Sequence, residues 1–216
     1  MPCQTKSISR RDCLKVAGIT LAATAVTCSG LGFVATRKPD IPTPDLVFGD
    51  ETILRDRILV AYATRAGSTV EIAIAIGESL SQRNYIVEVR PVIDQPDINP
   101  YQAVIIGSAI RMGNWLPEAV EYIKHNQQIL NQKPVALFTA HMLNAGDDET
   151  SRANRLAYLN PVREILTDPE EAFFAGKMDF TKLSFLDRMI SRMVGAVEDD
   201  LRDWDKIRTW AQAVFK

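Results

Sequence analysis

The stretch Thr64-Arg65-Ala66-Gly67-Ser68-Thr69 gathers the groups that hold an anion. Gly67 lets the backbone come close to a ligand, and the hydroxyls of Thr64, Ser68 and Thr69 can donate to phosphate oxygens. If a helix starts here, its unpaired first-turn amides and the positive end of its dipole converge on the same point. The spacing excludes two common nucleotide sites. There is no Gly-x-x-x-x-Gly-Lys-Ser/Thr, so the lysine and metal-binding hydroxyl of nucleotide hydrolases are missing. There is no Gly-x-Gly-x-x-Gly, which dinucleotide binding requires. No metal site is expected. The plainer alternative is a Gly-Ser-Thr turn that only caps a helix.

An anion loop of this kind needs a strand before it and a helix behind it. Residues 58–63 are a short apolar run, the pattern of a strand buried on both faces, and residues 70–83 set Ile72, Ile76 and Leu80 on one helical stripe. Residues 86–89 and 103–107 read as further strands, and 116–126 as a helix that tolerates Pro117 in its first turn. A fourth strand over 134–139, a helix over 150–166, a fifth strand over 172–175 and helices over 182–194 and 201–215 complete the chain. Strands alternating with helices predict an α/β fold, a doubly wound five-stranded parallel sheet covered on both faces.

With 216 residues and 46% hydrophobic content, the chain can bury one core but not comfortably two. A net charge of −2, with no concentration of basic residues, argues against nucleic acid as a partner. The cysteines are Cys3, Cys13 and Cys28, so a domain lacking the first 28 residues has no thiol and cannot use one in catalysis.

Those first residues read as an address. Ser9-Arg10-Arg11, with Leu14 and Lys15, precedes an uncharged run over 16–36 and resembles a twin-arginine export signal, which sends folded proteins across the cytoplasmic membrane. The expected location is therefore extracytoplasmic. Ala23-Thr24-Ala25 offers a cleavage site, the run is long enough to remain as a membrane anchor, and Cys28 is open to lipidation. All three outcomes stand. Residues 37–56, with Pro39, Pro42 and Pro44 among acidic residues, are expected to form an extended tether without packed elements. The expected division is 1–36 signal, 37–56 linker and 57–216 folded domain.

From Tyr62 onward the loop becomes specific. Tyr62-x-Thr64-x-x-Gly67-x-Thr69-x-x-x-Ala73-x-x-Ile76 resembles the flavodoxin signature, departing only at the preceding Ala61. The resemblance implies that residues 64–69 cradle the phosphate of FMN where the strand order reverses. It also implies that the flavin ring lies between two later loops. These are Ser108-Ala109-Ile110-Arg111-Met112-Gly113-Asn114-Trp115 and Thr139-Ala140-His141-Met142-Leu143-Asn144. Gly113 would let the backbone turn beside the ring. Two readings stand for each of the other candidates. Trp115 stacks on the flavin or packs a helix start. Arg111 stabilises an anionic flavin or pairs with a surface carboxylate. His141 relays protons or touches substrate, or is an ordinary hydrogen-bonded loop histidine. His125 reads as a surface residue.

Over residues 57–215 the chain resembles menaquinone-dependent protoporphyrinogen dehydrogenases, through residues 104–113, Phe174-Ala175-Gly176-Lys177, Asp187-Arg188-Met189-Ile190 and Asp203-Trp204. It has Met112 and Asn114 where that family has tyrosine and histidine. The resemblance implies an FMN oxidoreductase acting on a quinone or porphyrinogen-like molecule. The alternatives are an exported electron carrier that docks with a redox partner protein, and a domain that has lost its flavin. Phe180, Leu183, Leu186, Met189, Ile190 and Met193 fall at helical spacing among basic residues. The favoured reading is an amphipathic helix covering the sheet; the other is a surface that meets membrane or quinone.

Overall fold

The computed structural model describes residues 41–50, 55–193, 195 and 198–216. The segment read as an export signal lies outside them. Among the described residues no helix is long and apolar enough to cross a membrane.

Five parallel strands form the centre: β2 (Arg57–Ala63), β3 (Ile86–Pro91), β4 (Ala103–Arg111), β6 (Val135–His141) and β7 (Glu170–Ala175). β1 (Leu46–Phe48) pairs antiparallel with β3, and β5 (Asn114–Trp115) pairs back on β4, giving the order β1-β3-β2-β4-β6-β7. The five expected strands are present, and two short ones are added. β1 corrects the expectation that residues 37–56 contain no packed element. Its cause is a hollow on helix α1 (Ser68–Ser81): a Cβ on Gly77 would meet Phe48 at 3.0 Å and Val89 at 2.8 Å, so only glycine leaves room for the Phe48 ring.

Alternation along the strands feeds two cores. Ile58, Val60 and Tyr62 join the layer under α1 and α7 (Trp204–Ala213). Leu59, Ala61 and Ala63 join the layer under α2 (Pro117–His125). Both faces are apolar, as a buried parallel sheet requires. The expected helix over 150–166 is two pieces, α4 (Glu149–Ala157) and α5 (Asn160–Arg163). Pro161 lacks an amide and starts a new turn instead of continuing the old one. A short α3 (Gln127–Leu130) follows α2.

β2 connects to β3 on one side and lies beside β4 on the other, so a crevice opens beyond the carboxyl ends of β2 and β4. After β7 the chain leaves the sheet. β8 (Lys177–Met178) and β9 (Asp199–Asp200) form a small ladder, and between them come a 3-10 turn, Phe180–Lys182, and α6 (Phe185–Met193). This excursion roofs the crevice.

Candidate functional site

β2 ends at Ala63 and α1 begins at Ser68, so residues 64–67 are forced into a tight turn. Gly67 caps the helix in the left-handed region, φ 88°, where a side chain would be strained. Its amide donates to Thr64 Oγ1 at 3.0 Å, which fixes the loop and leaves the threonine proton for another acceptor. Thr69 is fully buried, and its hydroxyl has no hydrogen-bond partner among the described residues. An unsatisfied buried hydroxyl costs stability, and a ligand acceptor would recover it. The first amides of α1 likewise have no intrahelical acceptor.

The second loop is a hairpin. β4 runs on to Arg111, turns through Met112 (φ 52°) and Gly113 (φ 78°), and returns as β5. Two consecutive positive φ values are the geometry of a two-residue hairpin turn, and glycine suits only the second of them without strain. The hairpin sends alternate residues away from the crevice. The Trp115 indole is buried and donates to Thr139 Oγ1 at 2.9 Å. Ser108 Oγ accepts from the Leu116 amide at 3.0 Å. Asn114 is exposed and donates to the Met112 carbonyl at 3.1 Å. Trp115 is therefore a packing residue between β5 and β6.

A cavity of about 580 Å³ occupies the crevice. Of the residues expected at the site, Thr64, Arg65, Ala66, Ser68, Thr69, Ala109, Ile110, Arg111, Met112, Gly113, Ala140, His141, Met142, Leu143 and Asn144 line it together. Gly67, Ser108, Asn114, Trp115 and Thr139 do not. Gly67 shapes the loop, and Ser108, Trp115 and Thr139 clasp the strands behind it.

His141 is almost fully buried. Burial pushes its pKa down to about 4, against the opposing effect of its hydrogen bond to the Leu143 carbonyl. Nδ1 lies 2.9 Å from that carbonyl oxygen, which only accepts, so Nδ1 carries the proton and Nε2 is a bare lone pair. A neutral histidine of this tautomer accepts a hydrogen bond and carries no charge near pH 7.

Arg111 reaches across the mouth to the roof. Its Nε donates to Asp187 Oδ1 at 2.9 Å, and Nη2 lies 2.7 Å from the same oxygen. Burial raises the Asp187 pKa, but hydrogen bonds from Ser184 and Arg111, with the charges of Arg111 and Arg65, hold it below its ordinary value. Arg65 itself is forked onto Glu118 of α2, with the longer contact at 2.9 Å. Both arginines therefore already have carboxylate partners.

The rest of the lining comes from segments the sequence reading did not place at the site. Asn154, Ala157 and Tyr158 close one side, with Asn144 donating to the Tyr158 hydroxyl at 2.6 Å. Gly176, Lys177, Met178, Leu183, Asp187, Ile190 and Ser191 form the roof. One local signal was available. Ser184 and Asp187 have the three-residue spacing of a helix-capping pair, and their 2.8 Å hydrogen bond turns Asp187 toward Arg111.

α6 is the main correction. It does not cover the sheet: none of its side chains is fully buried, and Phe185, Met189 and Met193 are 62%, 47% and 79% exposed. Asp187, Ile190 and Ser191 line the cavity, while Phe185, Leu186, Met189 and Met193 form an apolar stripe that faces outward.

Comparison with known proteins gives the class. The flavodoxin domain family matches residues 59–205, and the chain belongs to that family. The chain is similar to protoporphyrinogen IX dehydrogenase [quinone] of Escherichia coli strain K12, at 24% identity over 73% of this chain and 94% of that protein. It is also similar to the protein of that name from Leishmania major, at 24% identity over 72% of this chain and 73% of the other. Among solved structures, oxidised flavodoxin 2 from Bacillus cereus covers 73% of this chain and 96% of its own, with a TM-score of 0.48 and 22% identity. The protein is a flavoprotein oxidoreductase or electron carrier.

Proposed function

We propose that the chain is an FMN-dependent oxidoreductase that exchanges electrons with a small apolar molecule of the quinone or porphyrinogen class. The reading rests chiefly on one observation. The cavity of about 580 Å³ lies at the switch point of the sheet, and its floor presents the buried hydroxyl of Thr69, unpartnered among the described residues, beside a glycine-shaped helix start. FMN, when bound, supplies the capacity to take and give electrons singly or in pairs.

The chain supplies binding and shielding. Residues 64–69 would hold the phosphate through loop amides and the hydroxyls of Thr64, Ser68 and Thr69. Residues 109–113 and 140–144 would border the ring. Ile110, Leu183 and Ile190 keep water from the cavity wall. His141 offers Nε2 as an acceptor, and Arg111 is held in place by Asp187. The similarity to protoporphyrinogen IX dehydrogenases supports the substrate class, while Met112 and Asn114 differ from that family's loop.

The export reading of residues 9–36 belongs to the same proposal. A twin-arginine signal carries a folded, cofactor-loaded domain, so the electron donor and acceptor would meet it outside the cytoplasm, with the N-terminus as a means of membrane attachment. A second reading, a carrier docking with a redox partner protein, is favoured by the exposed stripe of α6 beside the cavity.

The test uses the full chain under anaerobic conditions, with a porphyrinogen donor and a menaquinone analogue as acceptor. Turnover dependent on FMN is the expected result. FMN uptake without turnover, with reduction only through a partner protein, would replace the enzyme by the carrier. A colourless protein that takes up no FMN would overturn both.

A further inference from the structure

We propose that Lys182 is the counter-ion of the cofactor phosphate, so that FMN ties the roof to the phosphate loop; this rests on the FMN reading above. A Cβ built on Gly67 would lie 3.8 Å from Lys182 Nζ, which places the ammonium against the phosphate loop although Lys182 belongs to the distant excursion. The placement is built in. Asp179 caps the 3-10 turn by accepting from the Thr181 amide at 2.9 Å, and the next residue after the turn, Leu183, is buried as an anchor. The base of the lysine stem is thereby fixed.

Among the described residues Lys182 has no carboxylate at ion-pair distance. The carboxylates that touch its turn are engaged elsewhere: Glu198 with the Phe180 amide, and Asp179 with the Thr181 amide and hydroxyl. Asp179 registers its charge, at longer range. The loop thus presents a full positive charge and, independently, the orphaned buried hydroxyl of Thr69. Both are donors. A neutral ring edge satisfies the hydroxyl but does not answer the charge, and a cation satisfies neither. A phosphate monoester satisfies both at once. The helix start contributes only about half a unit charge, so a phosphate carrying nearly two negative charges gains from an ammonium beside it.

A second consequence concerns the roof. α6 buries no side chain fully, so its position depends on the Arg111–Asp187 pair and on the ladder of β8 with β9. A phosphate gripped by both the loop and Lys182 adds a further tie. Cofactor occupancy then sets how firmly the cavity is closed.

The experiment measures FMN and riboflavin affinities of the full chain by quenching of flavin fluorescence, in the wild type, Lys182→Met and Lys182→Arg. Riboflavin lacks the phosphate and reports ring binding alone. Loss of one charge-assisted hydrogen bond predicts FMN binding weaker by about tenfold in Lys182→Met, unchanged riboflavin binding, and substantial recovery in Lys182→Arg. FMN should also slow proteolysis between residues 176 and 203 in the wild type and not in Lys182→Met. Equal FMN affinity in wild type and Lys182→Met would overturn the proposal. So would an equal loss for FMN and riboflavin, which would make Lys182 a packing residue of the roof. A wild type that binds neither flavin would instead overturn the FMN reading on which the proposal rests.

Discussion

The floor and the roof of the cavity are built in opposite ways. The floor is the carboxyl edge of a parallel sheet whose strands are buried on both faces, so its loops are positioned by two apolar cores. Among the described residues, the roof is an excursion of short elements held by the Arg111–Asp187 pair, the Arg202 bridge from Asp200 to Glu71 of α1, a two-residue ladder and a few backbone hydrogen bonds, including Gly176 N–H to the His141 carbonyl at 2.7 Å. Stability is not uniform in such a molecule, and the elements with little buried apolar surface open first. A preformed floor suits a cofactor that stays, and a lightly tethered roof suits a partner that comes and goes.

Substitutions in the floor should therefore cost far more than those in the roof. The largest effect is expected at Gly107 in β4, where an added Cβ would lie 1.9 Å from the Phe138 ring. Gly107→Ala should lower the unfolding free energy by about 3 kcal/mol, read in urea titrations. Partial rescue by Phe138→Leu would show that the clash is the cause, and wild-type stability would contradict the strand packing.

His141 gives a floor effect of similar size that depends on pH. The folded pKa of about 4 lies below the unfolded value near 6.5, so the unfolded chain binds more protons between those limits. Stability from this residue is full above pH 6.5 and is lost as the pH falls toward 4, reaching about 3 kcal/mol. His141→Gln should flatten that part of the stability profile, and an unchanged slope would show that His141 titrates normally.

Gly67→Glu combines a left-handed backbone with a carboxylate in the phosphate loop. It should weaken FMN binding by about a hundredfold or more and change urea stability by only about 1 kcal/mol. Titration with the flavin checks this, and micromolar affinity retained in the variant would remove the loop from the site.

The roof should respond least. Arg111 and Asp187 form a largely solvent-screened pair, so Asp187→Asn should cost about 0.5 kcal/mol of global stability while speeding proteolysis within the roof. Phe185→Ser, at a mostly exposed position, should leave urea stability unchanged within about 0.5 kcal/mol. A large loss there would mean that the stripe of α6 is buried in the folded protein.

The same contrast explains what the sequence disclosed. The parallel strands were legible because a strand buried on both faces is a continuous apolar run, as at residues 58–63 and 103–106. The turn between β2 and α1 was legible because glycine and hydroxyls at a strand-to-helix junction suit a helix start; the anion it would hold is the proposal made above. The roof was harder to read. Periodicity in 185–193 shows that a helix is amphipathic but not whether its apolar face meets a sheet, a cavity or solvent. β1 was hidden by the prolines at 42 and 44, since the hollow that receives Phe48 depends on Gly77, on a different element. Trp115 could be read either as a ring partner or as a packing residue because the hairpin turn at Met112 and Gly113, which rotates it inward to Thr139, places a positive φ on a methionine that nothing in the local sequence announces.

The most direct test is a crystal structure of the full chain grown with FMN. The account predicts phosphate oxygens within hydrogen-bond distance of Thr69 Oγ1 and the first amides of α1, with the ring under the roof between residues 109–113 and 140–144. A phosphate seated in another crevice, with the Thr69 hydroxyl still lacking a partner, would contradict it.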